Sequence, residues 1–296
     1  MRIGDLEIDM ISDGVVWVDA GGPFGLVPRP LYAKSFLPDE KNRIPMSLHV
    51  VVIRSEGKTI LVDNGLGTKL GPEGERRWGL VRPEGGLEAG LANLGLSPED
   101  VDWVINTRLH ADHCGGNTRL SGTDVVPRFP RATYFVQRIE WADACHPDAR
   151  TRSTYLAENF QPLVREGRMR LLHGESALTP HVTCVPMPGH TRGQQAVRLV
   201  SGDWVGMCVA DMASYAVHLT QTAWLTAYDV LPLENLATKR KVQEWALRTG
   251  AWIFSPHDPG LPVGRLQESN GRLTIEAPDG SDDLTRALPT PTPPRG

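Results

Sequence analysis

At 296 residues the chain is long enough to bury most of its unfolded surface in a substantial core, so it has no need of disulfides or other small-scaffold staples. A net charge of −4, from 31 Lys and Arg against 35 Asp and Glu, argues against a broad basic footprint for nucleic acid or anionic lipid and favours small, neutral substrates. Cys114, Cys145, Cys184 and Cys208 show neither CxxC pairing nor dense disulfide spacing, Met1 opens directly into a strand pattern, and the apolar runs are strand-sized, so a cytoplasmic protein without a membrane span is expected.

Arg2 to Ile11 alternates as a strand, and a Gly- and Pro-rich stretch to about Pro45 then carries Trp17, Phe24, Leu26 and Leu31. That is too long for a plain connection and reads either as a wall or lid of a binding site or as an ordered surface excursion; its apolar residues would also suit a homodimer contact. Ser47–Arg54 and Thr59–Asp63 are dense in β-branched residues and flank Glu56-Gly57-Lys58, a hairpin pattern. A helix is expected over 87–94, Ser97-Pro98-Glu99-Asp100 opens another turn, and 102–107 is a buried strand. Farther on, strands are expected over 132–137, 169–172 and 181–187, helices over 140–145 and 153–166, and a hairpin over 195–200 and 204–210. The longest helix is expected over 233–249, with a last core strand over 252–255. Mixed elements in two halves, with no regular strand-helix-strand repeat, predict one α+β domain over residues 1–283, and the Pro-rich tail 284–296 is predicted to be disordered.

Four of the expected strands end on His or Asp. Thr107-Arg108-Leu109-His110-Ala111-Asp112-His113-Cys114-Gly115-Gly116 follows the strand 102–107, Pro188-Gly189-His190-Thr191 follows 181–187, Asp211 follows 204–210, and Pro256-His257 follows 252–255. Imidazole and carboxylate suit a borderline-soft dication such as zinc, and strand ends that converge on one sheet edge let such side chains meet. No GxSxG elbow, GxxxxGK[ST] loop or GxGxxG fingerprint competes with this reading.

The order HxHxDH, PGHTxG, strand-terminal Asp and late His resembles the metallo-β-lactamase superfamily over most of the chain, and the acidic residue Asp63 in Leu61-Val62-Asp63-Asn64-Gly65 matches its early motif. Phe129–Arg138 and Ala227-Tyr228-Asp229 resemble the lactonase and organophosphate-hydrolase branch. The resemblance implies an αββα sandwich, a first metal position served by His110 and His190, a second served by Asp112, His113 and His257, and Asp211 bridging the two. It implies zinc, as one or two ions with other divalent transition metals possible, and a zinc-bound hydroxide, oriented by Asp112, attacking a lactone, ester or phosphotriester. Amide hydrolysis of the β-lactamase type and a catalytically impaired metal- or ligand-binding protein are the alternatives.

Arg108 stands where the family pattern has its first His. A guanidinium stays protonated and cannot ligate zinc. Three outcomes follow: a single zinc at the second position, with Arg108 stabilising an oxyanion in place of the first ion; two ions with Arg108 turned aside toward an acidic neighbour; or an inactive protein. Tyr215 and Tyr228 are each a candidate hydrogen-bond donor to substrate or a packing aromatic. His49 and His218 read as satisfied histidines, His146, His173 and His181 as surface residues, and Cys114 as a small buried residue.

Overall fold

Why the strand run around Val50 is continuously apolar is clear from its neighbours on both sides. In the computed structural model, which describes residues 1–278, Val50 and Val52 face one layer of helices, while Val51 and Ile53 face a second sheet. The first sheet has seven strands, ordered Arg2–Ile3, Leu6–Asp19, Arg43–Ser55, Lys58–Val62, Trp103–Ile105, Thr133–Gln137 and Met169–Leu172. The second also has seven, running in chain order from Ser176–Ala177 through Val182–Pro186, Gln195–Ser201, Trp204–Cys208, Trp252–Phe254 and Val263–Ser269 to Arg272–Glu276.

Leu6, Ile8, Ile60 and Ile105 of the first sheet meet Val182, Val197, Leu199 and Phe254 of the second. Leu87, Leu91, Ala144 and Leu163 cover the outer face of the first sheet, and Val242 and Ala246 of the long helix Pro232–Thr249 cover the second. The result is the αββα sandwich, as one domain. The expected domain end at 283 and the Pro-rich tail lie outside the described residues. Among the described residues no helix is long and apolar enough to cross a membrane.

Three expectations need correction. The strand from Leu6 does not stop at Ile11 but runs to Asp19, paired with a partner that already begins at Arg43, so the excursion shrinks to residues 20–42 with short helices Gly21–Phe24 and Arg29–Tyr32. A bulge at Ser12-Asp13-Gly14 carries the strand onward, with Gly14 at φ +139° and the register shifting between Ser12 and Val15. The helix expected over 153–166 is broken into a 3-10 turn, Ala157–Asn159, and a short helix, Gln161–Arg165, that starts at Pro162's turn. The hairpin Val263–Ser269 with Arg272–Glu276, which closes the second sheet, was not anticipated from the sequence.

Topology puts the chemistry at one edge. Lys58–Val62 runs parallel to Trp103–Ile105, and Trp204–Cys208 parallel to Trp252–Phe254, so the C-terminal ends of each pair open on the same side. Asp63, the Thr107–Asn117 loop, Asp211 and His257 all follow such ends.

Candidate metal centre

Each strand end hands over a side chain whose orientation is set from behind. Asp63, at φ +58°, accepts hydrogen bonds from the Thr107 amide at 2.7 Å and the Thr107 hydroxyl at 2.7 Å. Its carboxylate also lies 2.8 Å from His113 Nδ1, which leaves His113 Nε2 to face the cluster. His257 Nδ1 is 2.7 Å from the Ser47 carbonyl, with the same consequence for its Nε2. His190 Nδ1 is 3.0 Å from Asp229, itself held by the Thr226 hydroxyl and the Asn235 amide. The loops themselves need close backbone packing: a Cβ at Gly115 or Gly116 would lie 2.3 Å from the carbonyl oxygen of Leu66 or Asn64, and one at Gly189 2.3 Å from the Asn235 Cα.

The second metal position of the expected set is assembled. One donor atom each from Asp112, His113, Asp211 and His257 falls within 4.8 Å of the others. His113 Nε2 lies 3.1 Å from His257 Nε2 and 3.4 Å from Asp112 Oδ2, and His257 Nε2 lies 3.1 Å from Asp211 Oδ1. Two imidazoles and two carboxylates that approach one point this closely fit a four-coordinate dication. Burial works to raise the Asp112 carboxyl, but the charges of His113 and Arg108 outweigh it and hold the group well below the usual carboxylate range.

The first position is filled differently. His110 Nδ1 and His190 Nε2 approach to 3.3 Å, and His190 Nε2 is 3.5 Å from Asp211 Oδ2, so three expected donors converge. Arg108 lies among them. Its Nε donates to His110 Nδ1 at 3.1 Å, its Nη2 donates to Asp211 Oδ2, and the side chain is only 1 % exposed. Of the three outcomes left open for Arg108, an acidic neighbour is indeed its partner, but that neighbour is Asp211, the residue expected to bridge two ions, rather than a group to the side of the site. Two of the three donors, His110 Nδ1 and Asp211 Oδ2, accept from the guanidinium, while His190 Nε2 does not, so the set fits a metal poorly while Arg108 is there.

Above the cluster is a cavity of about 240 Å³, walled by Val18, Pro23, Met46, Trp78, Ala227 and Tyr228 and floored by Arg108, His110, Asp112, His190 and Asp211. The early segment does contribute a wall, through Val18, Pro23 and Met46. The two tyrosines part here. Tyr215 is fully buried and also lines the cavity, but its hydroxyl donates to the Pro45 carbonyl at 3.1 Å, so in this structure the donor is engaged with the scaffold. Tyr228 is 45 % exposed at the cavity wall, and its phenol is pushed up to about 12, by burial first and then by the charges of Asp112, Asp19 and Asp211, so it remains a donor.

Of the remaining histidines, His49 and His218 are buried as expected but each keeps one ring nitrogen without a partner among the described residues, and His181, expected at the surface, is half-buried with its Nδ1 2.9 Å from the Val200 carbonyl. His49 Nε2 lies 3.0 Å from the Asp258 carbonyl, and burial lowers His49 to about 4. Cys114 is buried, with its thiol donating to the Leu109 carbonyl at 3.2 Å and pushed up by burial, a structural residue rather than a ligand. Two supports went unread in the sequence. Asp229 stands in the quoted Ala227-Tyr228-Asp229 segment but orients His190 across 39 residues, and Glu140, fully buried, accepts from the Leu109 amide and the Thr191 and Tyr155 hydroxyls, tying the two histidine loops together. A cleaner signal for Glu140 would have been an acid in a helix that is otherwise apolar on that face.

Comparison with known proteins places this geometry. An N-acyl homoserine lactonase, AttM, from Azorhizobium caulinodans is 28% identical over 227 residues, covering 71% of this chain and 80% of that protein. A probable metal-dependent hydrolase from Staphylococcus aureus superposes with a TM-score of 0.85 at 27% identity, covering 94% of this chain and 97% of that one. The dizinc quorum-quenching lactonase AidC, in complex with the product N-hexnoyl-L-homoserine, superposes at 0.77 with 20% identity, covering 94% and 96%. Residues 44–244 match the metallo-beta-lactamase superfamily domain, and with the αββα sandwich and the strand-end donors already described, the chain belongs to that superfamily.

Proposed function

We propose that this protein is a metal-dependent hydrolase of small, neutral, fairly hydrophobic lactones, with related esters and phosphotriesters as further substrates. The observation that carries the reading is the convergence of Asp112, His113, Asp211 and His257 beneath an apolar-walled cavity of about 240 Å³. The likeness to N-acyl homoserine lactonases supports a lactone as the first substrate class. Those four residues would hold one divalent ion, for which zinc suits the donor set. Such an ion supplies a water of lowered pKa, so that hydroxide is available near neutral pH.

The chain's own groups do the rest. Asp112, whose side chain is 12% exposed on the cavity floor, would accept a proton from the attacking water and orient the oxygen. That oxygen forms the bond to the carbonyl carbon while the carbonyl π pair moves onto its oxygen. When the pair returns, the ring C–O bond breaks and the leaving alkoxide takes the proton held by Asp112, giving the hydroxy acid. Tyr228, a protonated donor at the wall, is placed to bond the substrate's oxygen.

The test is hydrolysis by the zinc-loaded protein of a panel containing N-acyl homoserine lactones, simple lactones and a phosphotriester, with and without chelator. Lactone turnover that chelator abolishes is expected. No turnover of any member overturns the reading. The buried pair between Arg108 and Asp211 favours one rival, a superfamily member that binds metal or ligand without turning it over, and binding of lactone without product in the same assay selects it.

A further inference from the structure

We infer that the Arg108 guanidinium replaces the first metal ion and acts as the electrophile for the substrate's carbonyl oxygen. This inference rests on the hydrolase reading above. Its starting point is a mismatch: three donors expected to hold an ion converge, yet two of them, His110 Nδ1 and Asp211 Oδ2, already accept hydrogen bonds from Arg108. An ion there would have to displace a cation buried beside its own ligands, and a fixed positive charge next to a dication opposes binding.

The guanidinium is also incompletely used. Nε and Nη2 are paired, but Nη1 is buried without a partner among the described residues, and Arg108 forms part of the cavity floor. A buried donor left unmade is costly, so an oxygen that reaches Nη1 from the cavity, which Arg108 helps to line, would be favoured. The substrate's carbonyl oxygen is such a group, and it gains negative charge as the water oxygen bonds to carbon. A guanidinium is planar, always protonated and already anchored at two points, so it meets that charge without rearranging.

This division of labour differs from a two-ion site in a defined way. Arg108 cannot lower the pKa of water by ligation, so activation of the nucleophile belongs to the second position alone, with Asp112. Arg108 Nη2 is 3.7 Å from Asp112 Oδ2, so the charge that receives the carbonyl oxygen also borders the group that handles the proton.

The experiment compares the wild type with Arg108→Ala and Arg108→Lys, each zinc-loaded, measuring kcat and KM on a lactone, ions per chain by elemental analysis, and rescue by guanidinium chloride at tens of millimolar against equal sodium chloride. Arg108→Ala, loaded with a single equivalent of zinc so that only the four-donor position fills, is expected to lose about 10² to 10³ in kcat with KM changed by less than about fivefold, and to regain at least about tenfold with guanidinium only. Arg108→Lys is expected to fall between the two. A kcat for Arg108→Ala within about threefold of wild type overturns the electrophile role, as does loss without any rescue by guanidinium when the ion count is unchanged. Two ions per wild-type chain overturn the replacement. Should the wild type turn over no lactone, the hydrolase reading fails and the electrophile role with it, whereas the ion count still decides separately whether Arg108 keeps the first position.

Discussion

The two halves of the metal centre are built from the same kinds of residue and end in opposite states. At the second position Asp112, His113, Asp211 and His257 point donor atoms at one another, and the Arg108 guanidinium borders this set through Asp211 and Asp112. At the first position His110 Nδ1 and His190 Nε2 approach to 3.3 Å and His190 Nε2 lies 3.5 Å from Asp211 Oδ2, but Arg108 bonds both His110 and Asp211 there. Arg108, where the family pattern leads one to expect a histidine, thus forms an internal ion pair with Asp211, while Asp211 Oδ1 and His257 Nε2, 3.1 Å apart, still face the proposed second position. Convergence of His and Asp is therefore insufficient as a sign of metal binding; what matters is whether the lone pairs are still free.

The comparison breaks most sharply at the second position. His257→Ala or Asp112→Asn should lower kcat/KM on a lactone by roughly 10³-fold or more and bring ion content below one per chain, since either removes a donor from the one such cluster among the described residues. Chelation of the wild type should lower its thermal midpoint as well as its rate, because a ligand bound only by the native state stabilises it, by about 3 to 4 kcal/mol at a hundred- to thousandfold excess over Kd. An unchanged midpoint in a differential scan would contradict a structural share for the ion.

The supporting carboxylates give a finer contrast. Asp63 orients His113, a residue of the metal-ready half, and Asp229 orients His190, a residue of the arginine-filled half. Asp63→Asn should cost about 10- to 100-fold in zinc affinity, measured by competition with a chromophoric chelator, whereas Asp229→Asn should change it by less than about threefold. Equal losses would mean that both halves bind metal. The smallest effect concerns the tyrosines: Tyr228→Phe should lower kcat by about 3- to 30-fold through loss of one donor, and Tyr215→Phe should leave kcat unchanged while costing about 1 kcal/mol in urea unfolding, the value of its bond to the Pro45 carbonyl.

The metal-ready half was legible in the sequence because each donor sits immediately after an apolar strand, and parallel pairing then forces the ends together. Arg108 was legible as a departure, but not its partner, since nothing in the order of residues says that a side chain at 108 reaches Asp211 rather than solvent. Asp229 and Glu140 were invisible for the same reason: their roles are hydrogen bonds across 39, 31 and 51 residues, and local pattern carries no trace of them. In the fold, mixed apolar runs pointed only to an α+β domain and the αββα layering came with the family resemblance, whereas the strand beyond Ile11 was lost where a bulge at Ser12-Asp13-Gly14 breaks the alternation. Asp13 looks like a turn residue, yet it is buried and accepts hydrogen bonds from Arg82 and the Gly67 amide, a long-range reason for a polar residue in a strand.

The account's central claim, that Arg108 and not a metal holds the first position, is tested most directly by counting ions per chain in zinc-saturated wild type and in Arg108→His, after removal of loosely held metal. The account predicts one ion in the wild type and two in the histidine variant, where the missing donor is restored and the competing cation removed. Two ions in the wild type would contradict it.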